Sequence, residues 1–166
     1  PSGSTNGIGV WTVGAGVTRA RQSPVIKKWL LTLALLLAVT DLDGTLTRGD
    51  TLFNAVPFPG VQEGLAEFDE VLYLSCKVWV ARAPQTWWLE FHEFPEGESY
   101  AIGTITNWWN TGGGCLDYKP KCEFLKAYPT KFTHGFSEDE QSLKAYECAG
   151  IPNIIKVVHP PKEKLL

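Results

Sequence analysis

"AVTDLDGTLTRGD", residues 38–50, places two carboxylates, Asp41 and Asp43, one residue apart where an aliphatic run stops. The run itself, "WLLTLALLLAV" from Trp29 to Val39, is apolar at almost every position. A continuous run of this kind reads as a strand buried on both faces of a parallel sheet, not as the alternation of a half-exposed one. It falls short of the ~20 apolar residues that a membrane-spanning helix needs. Lys27 and Lys28 before it give it the outline of a secretion signal, the alternative reading, in which cleavage would leave the acids on a loose terminus. On the strand reading, both acids emerge at the carboxyl end of a core element.

Working outward, strand-like and helix-like stretches alternate. "VQEGLAEF", "VLYLS", "APQTWWLEFHEF", "SYAIGTI", "KPKCEFLKAY", "TKFTH", "SEDEQSLKAYECA" and "NIIKVV" follow one another to the end of the chain. That order predicts an α/β fold with a central parallel sheet covered by helices on both faces. Such sheets bind ligands beyond the carboxyl ends of their strands, where the strand order reverses. Pro84 and Pro120 suit first helical turns, Ser137 with Glu140 forms a capping box, and Gly150 marks a helix stop. Residues 1–25 are Gly- and Ser-rich and read as a tail or hairpin, and 26–166 as one domain. "TNWWNTGGG", 106–114, reads as a loop.

With 15 basic and 18 acidic residues the net charge is -3, which gives no global attraction for nucleic acid. Cys76, Cys115, Cys122 and Cys148 match no zinc spacing, and a chain of 166 residues can bury enough core to hold without staples, so free thiols are expected. The absence of Met and the leading Pro point to a processed, excised or designed chain.

Two carboxylates so placed can share phosphoryl chemistry: one attacks phosphorus, and the other protonates the leaving group and later activates water. Mg2+ suits such a pair, because it takes one or two carboxylates and completes its shell with phosphate and water oxygens. A lone D-x-D also occurs in plain turns, but the full string "DLDGTLT" after an aliphatic strand resembles the first motif of the haloacid dehalogenase-like (HAD) superfamily. The resemblance implies a three-layer Rossmann-like core, Mg2+ dependence and an aspartyl-phosphate intermediate. Asp41 would be the nucleophile and Asp43 the general acid/base, with both on the metal.

Three further motifs follow from that resemblance. Ser75, closing "VLYLS", stands where the family has a phosphate-binding Ser or Thr. Lys119 of "DYKPKCEF" stands where it has a charge-neutralising Lys, with Lys121 as the alternative. The fourth motif departs from the pattern: "HGFSEDE" has Phe136 where an acid or Asn is usual, and leaves Asp139 and Glu140, beside Glu138, as metal ligands.

Within the superfamily, "VLYLSCKVWVARAPQTWWLEFHEFPEG" and "AYPTKFTHGFSEDEQSLKAYECAGIPNIIKVV" look most like the lipin-type phosphatidate phosphatase domain and its bacterial relatives. Lys77 stands where that group commonly has Arg. The short interval from Asp43 to Ser75 leaves no room for a large cap, which suits a bulky substrate with a projecting phosphate. The resemblance implies a phospholipid substrate such as phosphatidate, peripheral membrane contact and a cytoplasmic or membrane-peripheral location, with no nucleic-acid partner. Its alternative is a phosphatidate-sensing domain without activity on the same fold. Trp87, Trp88 and Phe91 are expected in the core, Trp108 and Trp109 at a membrane-facing loop, and His92, His134 and His159 in structural roles.

Overall fold

The computed structural model describes residues 9–12, 35–48, 55–105, 109 and 115–159. Among these the strands are β1 (Gly9–Thr12), β2 (Leu37–Thr40), β3 (Thr47–Arg48), β4 (Val56–Pro57), β5 (Glu70–Val78), β6 (Gly97–Gly103), β7 (His134–Ser137) and β8 (Asn153–Val158). The helices are α1 (Val61–Leu65), α2 (Arg82–Phe91), α3 (Lys119–Ala127) and α4 (Glu140–Ala149), with a short 3₁₀ turn at Trp79–Ala81 before α2.

The main sheet runs β1-β8-β7-β2-β5-β6, and every pairing in it is parallel. The five strands from β2 onward, flanked by helices, make a mixed α/β core compatible with a Rossmann-like arrangement. β2 is central and all four of its residues are buried, as a strand covered on both faces requires. Its neighbours are β5, with Thr40 beside Tyr73, and β7, with Thr40 beside Phe136. From β2 the chain first builds outward through β5 and β6, then returns to the other side for β7 and β8. β2 is therefore the switch point.

The faces carry separate cores. Ala38, Leu42, Val71 and Tyr73 pack with Leu65 of α1 and with Trp88 and Leu89 of α2. On the other face Val39, Leu72 and Leu74 pack with Leu125 of α3 and with Leu143 and Tyr146 of α4. Alternate residues of β2 and β5 thus serve opposite layers, as strand geometry dictates. α4 ends at Gly150 in the left-handed conformation, φ 78°, whose N–H returns to Tyr146 and Glu147 carbonyls.

Several expectations need correction. β2 occupies only the last part of the apolar run; Leu35 and Leu36 are exposed, and 29–34 lie outside the described residues. β7 starts at His134, later than "TKFTH" implied, and the short antiparallel β3–β4 ribbon is an element the expected order of strands and helices does not contain. From residues 1–25, Gly9–Thr12 joins the sheet as an edge strand and the proposed hairpin lies outside the described residues. The capping box does not form: Asp139 is the N-cap of α4 and accepts the Ser142 N–H at 2.8 Å. Trp88 is buried, but Trp87 and Phe91 are 58% and 66% exposed and stack on each other outside α2. Helical neighbours lie ~100° apart, so Trp87 and Trp88 cannot share the inward face.

The cysteines are not free. Cys76 bonds Cys115 and Cys122 bonds Cys148, with Cα–Cα separations of 5.3 and 5.8 Å. The second bridge ties α3 to α4; the first ties β5 to the segment that enters α3. Cysteine identity and number in the sequence carry no information on these spatial distances.

Candidate active site

Asp41 follows β2 directly and is buried. Its backbone N–H donates to the Phe136 carbonyl at 3.1 Å, which fixes it to the end of β7. Its Oδ1 accepts the Leu42 N–H at 3.0 Å and lies 3.3 Å from Lys121 Nζ. Its Oδ2 accepts from Ser142 Oγ at 3.2 Å and, at a longer 3.5 Å, from Ser137 Oγ. Lys121 Nζ also donates to Ser142 Oγ at 2.7 Å, so carboxylate, ammonium and hydroxyl form a closed buried triangle. Burial raises the Asp41 pKa; Lys121 opposes the rise, Asp43 and Asp139 add to it, and the Leu42 N–H lowers it.

Asp43 lies in a different setting. Its side chain is 45% exposed and paired with Lys77 of β5. The chain turns at Gly44, whose φ of 71° suits glycine, and the Gly44 N–H donates to the Thr47 carbonyl. Glu138 Oε1 occupies the place a Cβ on Gly44 would take, and as the end of a flexible side chain it could yield, so the positive φ selects glycine more than the space does. Glu138 therefore lies over the turn, and its N–H donates to Thr45 Oγ1 at 3.0 Å. Its pKa is raised by partial burial, lowered by His159, and raised again by Asp41 and Asp139. Asp41, Asp43, Glu138 and Asp139 thus form one interacting acidic group served by two ammonium groups.

The other expected residues fall as follows. Lys119 is exposed at the start of α3, its N–H on Asp117, and Lys121 brings the ammonium to Asp41 instead. The preference for Lys119 is corrected: Lys121 shares the inward stripe of α3 with Cys122 and Leu125, whereas Lys119 does not. Glu140 pairs with Lys156 of β8 at the surface and so leaves the acidic group; Asp139 stays in it. Ser75 is fully buried on the α2 side of β5, where its hydroxyl donates to Gln85 Oε1 at 2.7 Å. Gln85 in turn donates to Ser99 Oγ at 2.7 Å. Trp109 is 79% exposed, and Trp108 lies outside the described residues. Ser137 and Ser142 were not anticipated as site residues; a serine on a helix carries no sequence signal of which layer it will meet.

Beside this centre an apolar cavity of about 340 Å³ is lined by Thr45, Leu46, Val61, Leu65, Phe68 and Phe136, among others. Among the described residues no group of three or more His, Cys, Asp or Glu is arranged to hold a metal ion, and no helix is long and apolar enough to cross a membrane.

The chain matches no protein family, no curated protein and no solved structure.

Proposed function

We propose that the chain is a Mg2+-dependent phosphomonoester hydrolase of the HAD type, acting through an aspartyl-phosphate on a lipid phosphate such as phosphatidate. The observation that carries this reading is the buried Asp41 carboxylate at the switch point, bound to Lys121 and Ser142, with a second acid two residues on. Asp41 Oδ attacks phosphorus in line while Asp43, reachable from solvent, protonates the departing alkoxide; Asp43 then takes a proton from the water that cleaves the acyl phosphate. Lys121 holds Asp41 in place and opposes, without cancelling, the burial that raises its pKa.

The donor chemistry fits a hard cation. Four carboxyl groups, Asp41, Asp43, Glu138 and Asp139, stand together with only Lys77 and Lys121 paired to them, and Mg2+ needs only one or two carboxylates. Asp41 and Asp43 would hold it, the rest of its shell being water and phosphate oxygens, with Asp139 and Glu138 adjacent in place of Glu140. When bound, it supplies charge neutralisation at the phosphoryl oxygens. The apolar cavity beside Thr45 and Leu46 supports a substrate with an apolar body and peripheral contact with a lipid surface. The two disulfides favour an oxidising compartment over the cytoplasm.

A non-catalytic phosphatidate sensor is the second reading, favoured by the ammonium group that each acid of the pair already carries. Phosphate release from para-nitrophenyl phosphate and from phosphatidate, with Mg2+ or chelator, separates the two. Metal-dependent turnover lost in Asp41→Asn is expected; phosphatidate binding without turnover overturns the hydrolase.

A further inference from the structure

A phosphoryl group needs hydrogen-bond donors, and most donors at this site are committed. Lys121 serves Asp41 and Ser142, Lys77 serves Asp43, and the Ser75 hydroxyl serves Gln85. Among the described residues the buried side-chain atoms left without a partner are Thr47 Oγ1 and both ring nitrogens of His159. Buried polar groups are satisfied in the great majority of cases, so these exceptions call for a physical cause.

Both are shielded from solvent and adjoin the acidic centre, Thr47 through Asp43 and His159 through Glu138. Thr47 closes the Gly44 turn: its carbonyl accepts the Gly44 N–H, and it bridges to Asp43. Opposite Thr47 in the β3–β4 ribbon is Pro57, and the next residue, Phe58, stacks on the His159 ring with centroids 3.4 Å apart and planes 10° from parallel. His159 follows β8 at the carboxyl edge of the sheet, the edge on which Asp41 stands. It lies close enough to Glu138 to oppose the rise that burial gives that carboxyl's pKa, and Glu138 lies over Gly44. The stack fixes the plane of the imidazole while leaving its edge nitrogens uncommitted, an arrangement suited to presenting an N–H at one position.

We infer that His159 is a substrate-binding residue whose ring N–H donates to an oxygen of the phosphoryl group, with Thr47 Oγ1 as a second donor. This rests on the phosphomonoesterase reading for its ligand, but on the unpaired imidazole for its place.

Inorganic phosphate tests it directly. The chain has three histidines, so the ring resonances can be assigned by substitution and followed in the full-length protein as phosphate is added. The His159 signals should shift saturably while those of His92 stay fixed. His159→Phe keeps a ring against Phe58 and should retain the thermal unfolding midpoint. It should also weaken phosphate binding about tenfold, the effect of losing one hydrogen bond to a charged group. His159→Gln, which restores a donor, should recover part of that loss. A His159 ring bonded only to ordered water and unmoved by saturating phosphate overturns the inference, as does unchanged affinity in a folded His159→Phe. Phosphate that moves His159 in a protein without turnover sinks the hydrolase and leaves this contact standing. Turnover with an unmoved ring does the reverse.

Discussion

Asp41 and Asp43 are separated by one residue, yet they belong to different walls. The wall formed by α3 and α4 surrounds Asp41 with buried partners, and a disulfide joins its two helices. The wall formed by β5 and the Gly44 turn leaves Asp43 half in water with one lysine. A charge on the first wall is costly unless every partner is in place, whereas a charge on the second is screened by solvent. On the proposed hydrolase reading the pair would divide the work: a buried group to receive the phosphoryl, and a solvent-exposed one to exchange protons with water.

The largest test of this difference is Lys121→Met. Removing one partner of a buried ion pair strands the other, and a loss of roughly 3–5 kcal/mol in urea unfolding is expected. If Lys121→Met costs under about 1 kcal/mol, the first wall is not held by charge. Next is Cys122→Ser with Cys148→Ser. The bridge closes a loop of 26 residues, and its removal should cost roughly 2–5 kcal/mol under oxidising conditions, without effect under reducing ones.

A smaller effect comes from pH. Burial lifts Asp41 above its ordinary value of 3.8, so between that value and its folded pKa the native state holds a proton the unfolded chain has released. Its contribution to stability is present below 3.8 and is lost as pH rises through that window. The stability of wild type relative to Asp41→Asn should therefore decline as pH climbs from about 4. A difference that grows with pH would reverse the assigned sign. The smallest effect is expected at the second wall: Lys77→Ala should change stability by less than about 1 kcal/mol, since a partly exposed pair is worth little.

The legibility of the chain follows the same division. The acidic pair and the order of strands and helices were readable because chain-local pattern determines them. The choice between Lys119 and Lys121 was not settled locally: two residues on a helix turn by ~200°, so only packing decides which faces inward. The same applies to Trp87 against Trp88. Glu140 was drawn to Lys156 on β8, a partner 16 residues away that no motif around Phe136 discloses. Ser142 acquires its place through Lys121 and Asp41, contacts that span 21 and 101 residues.

The two disulfides also bear on how the chain is made. Four cysteines admit three pairings; here the first bonds the second and the third bonds the fourth. The loops they close, 76–115 and 122–148, follow one another without overlap. Each bridge can form as soon as its own second cysteine emerges, and neither has to be undone for the other to close. Oxidation can thus keep step with synthesis from the amino end, with the Asp41 strand already synthesised before either loop is sealed.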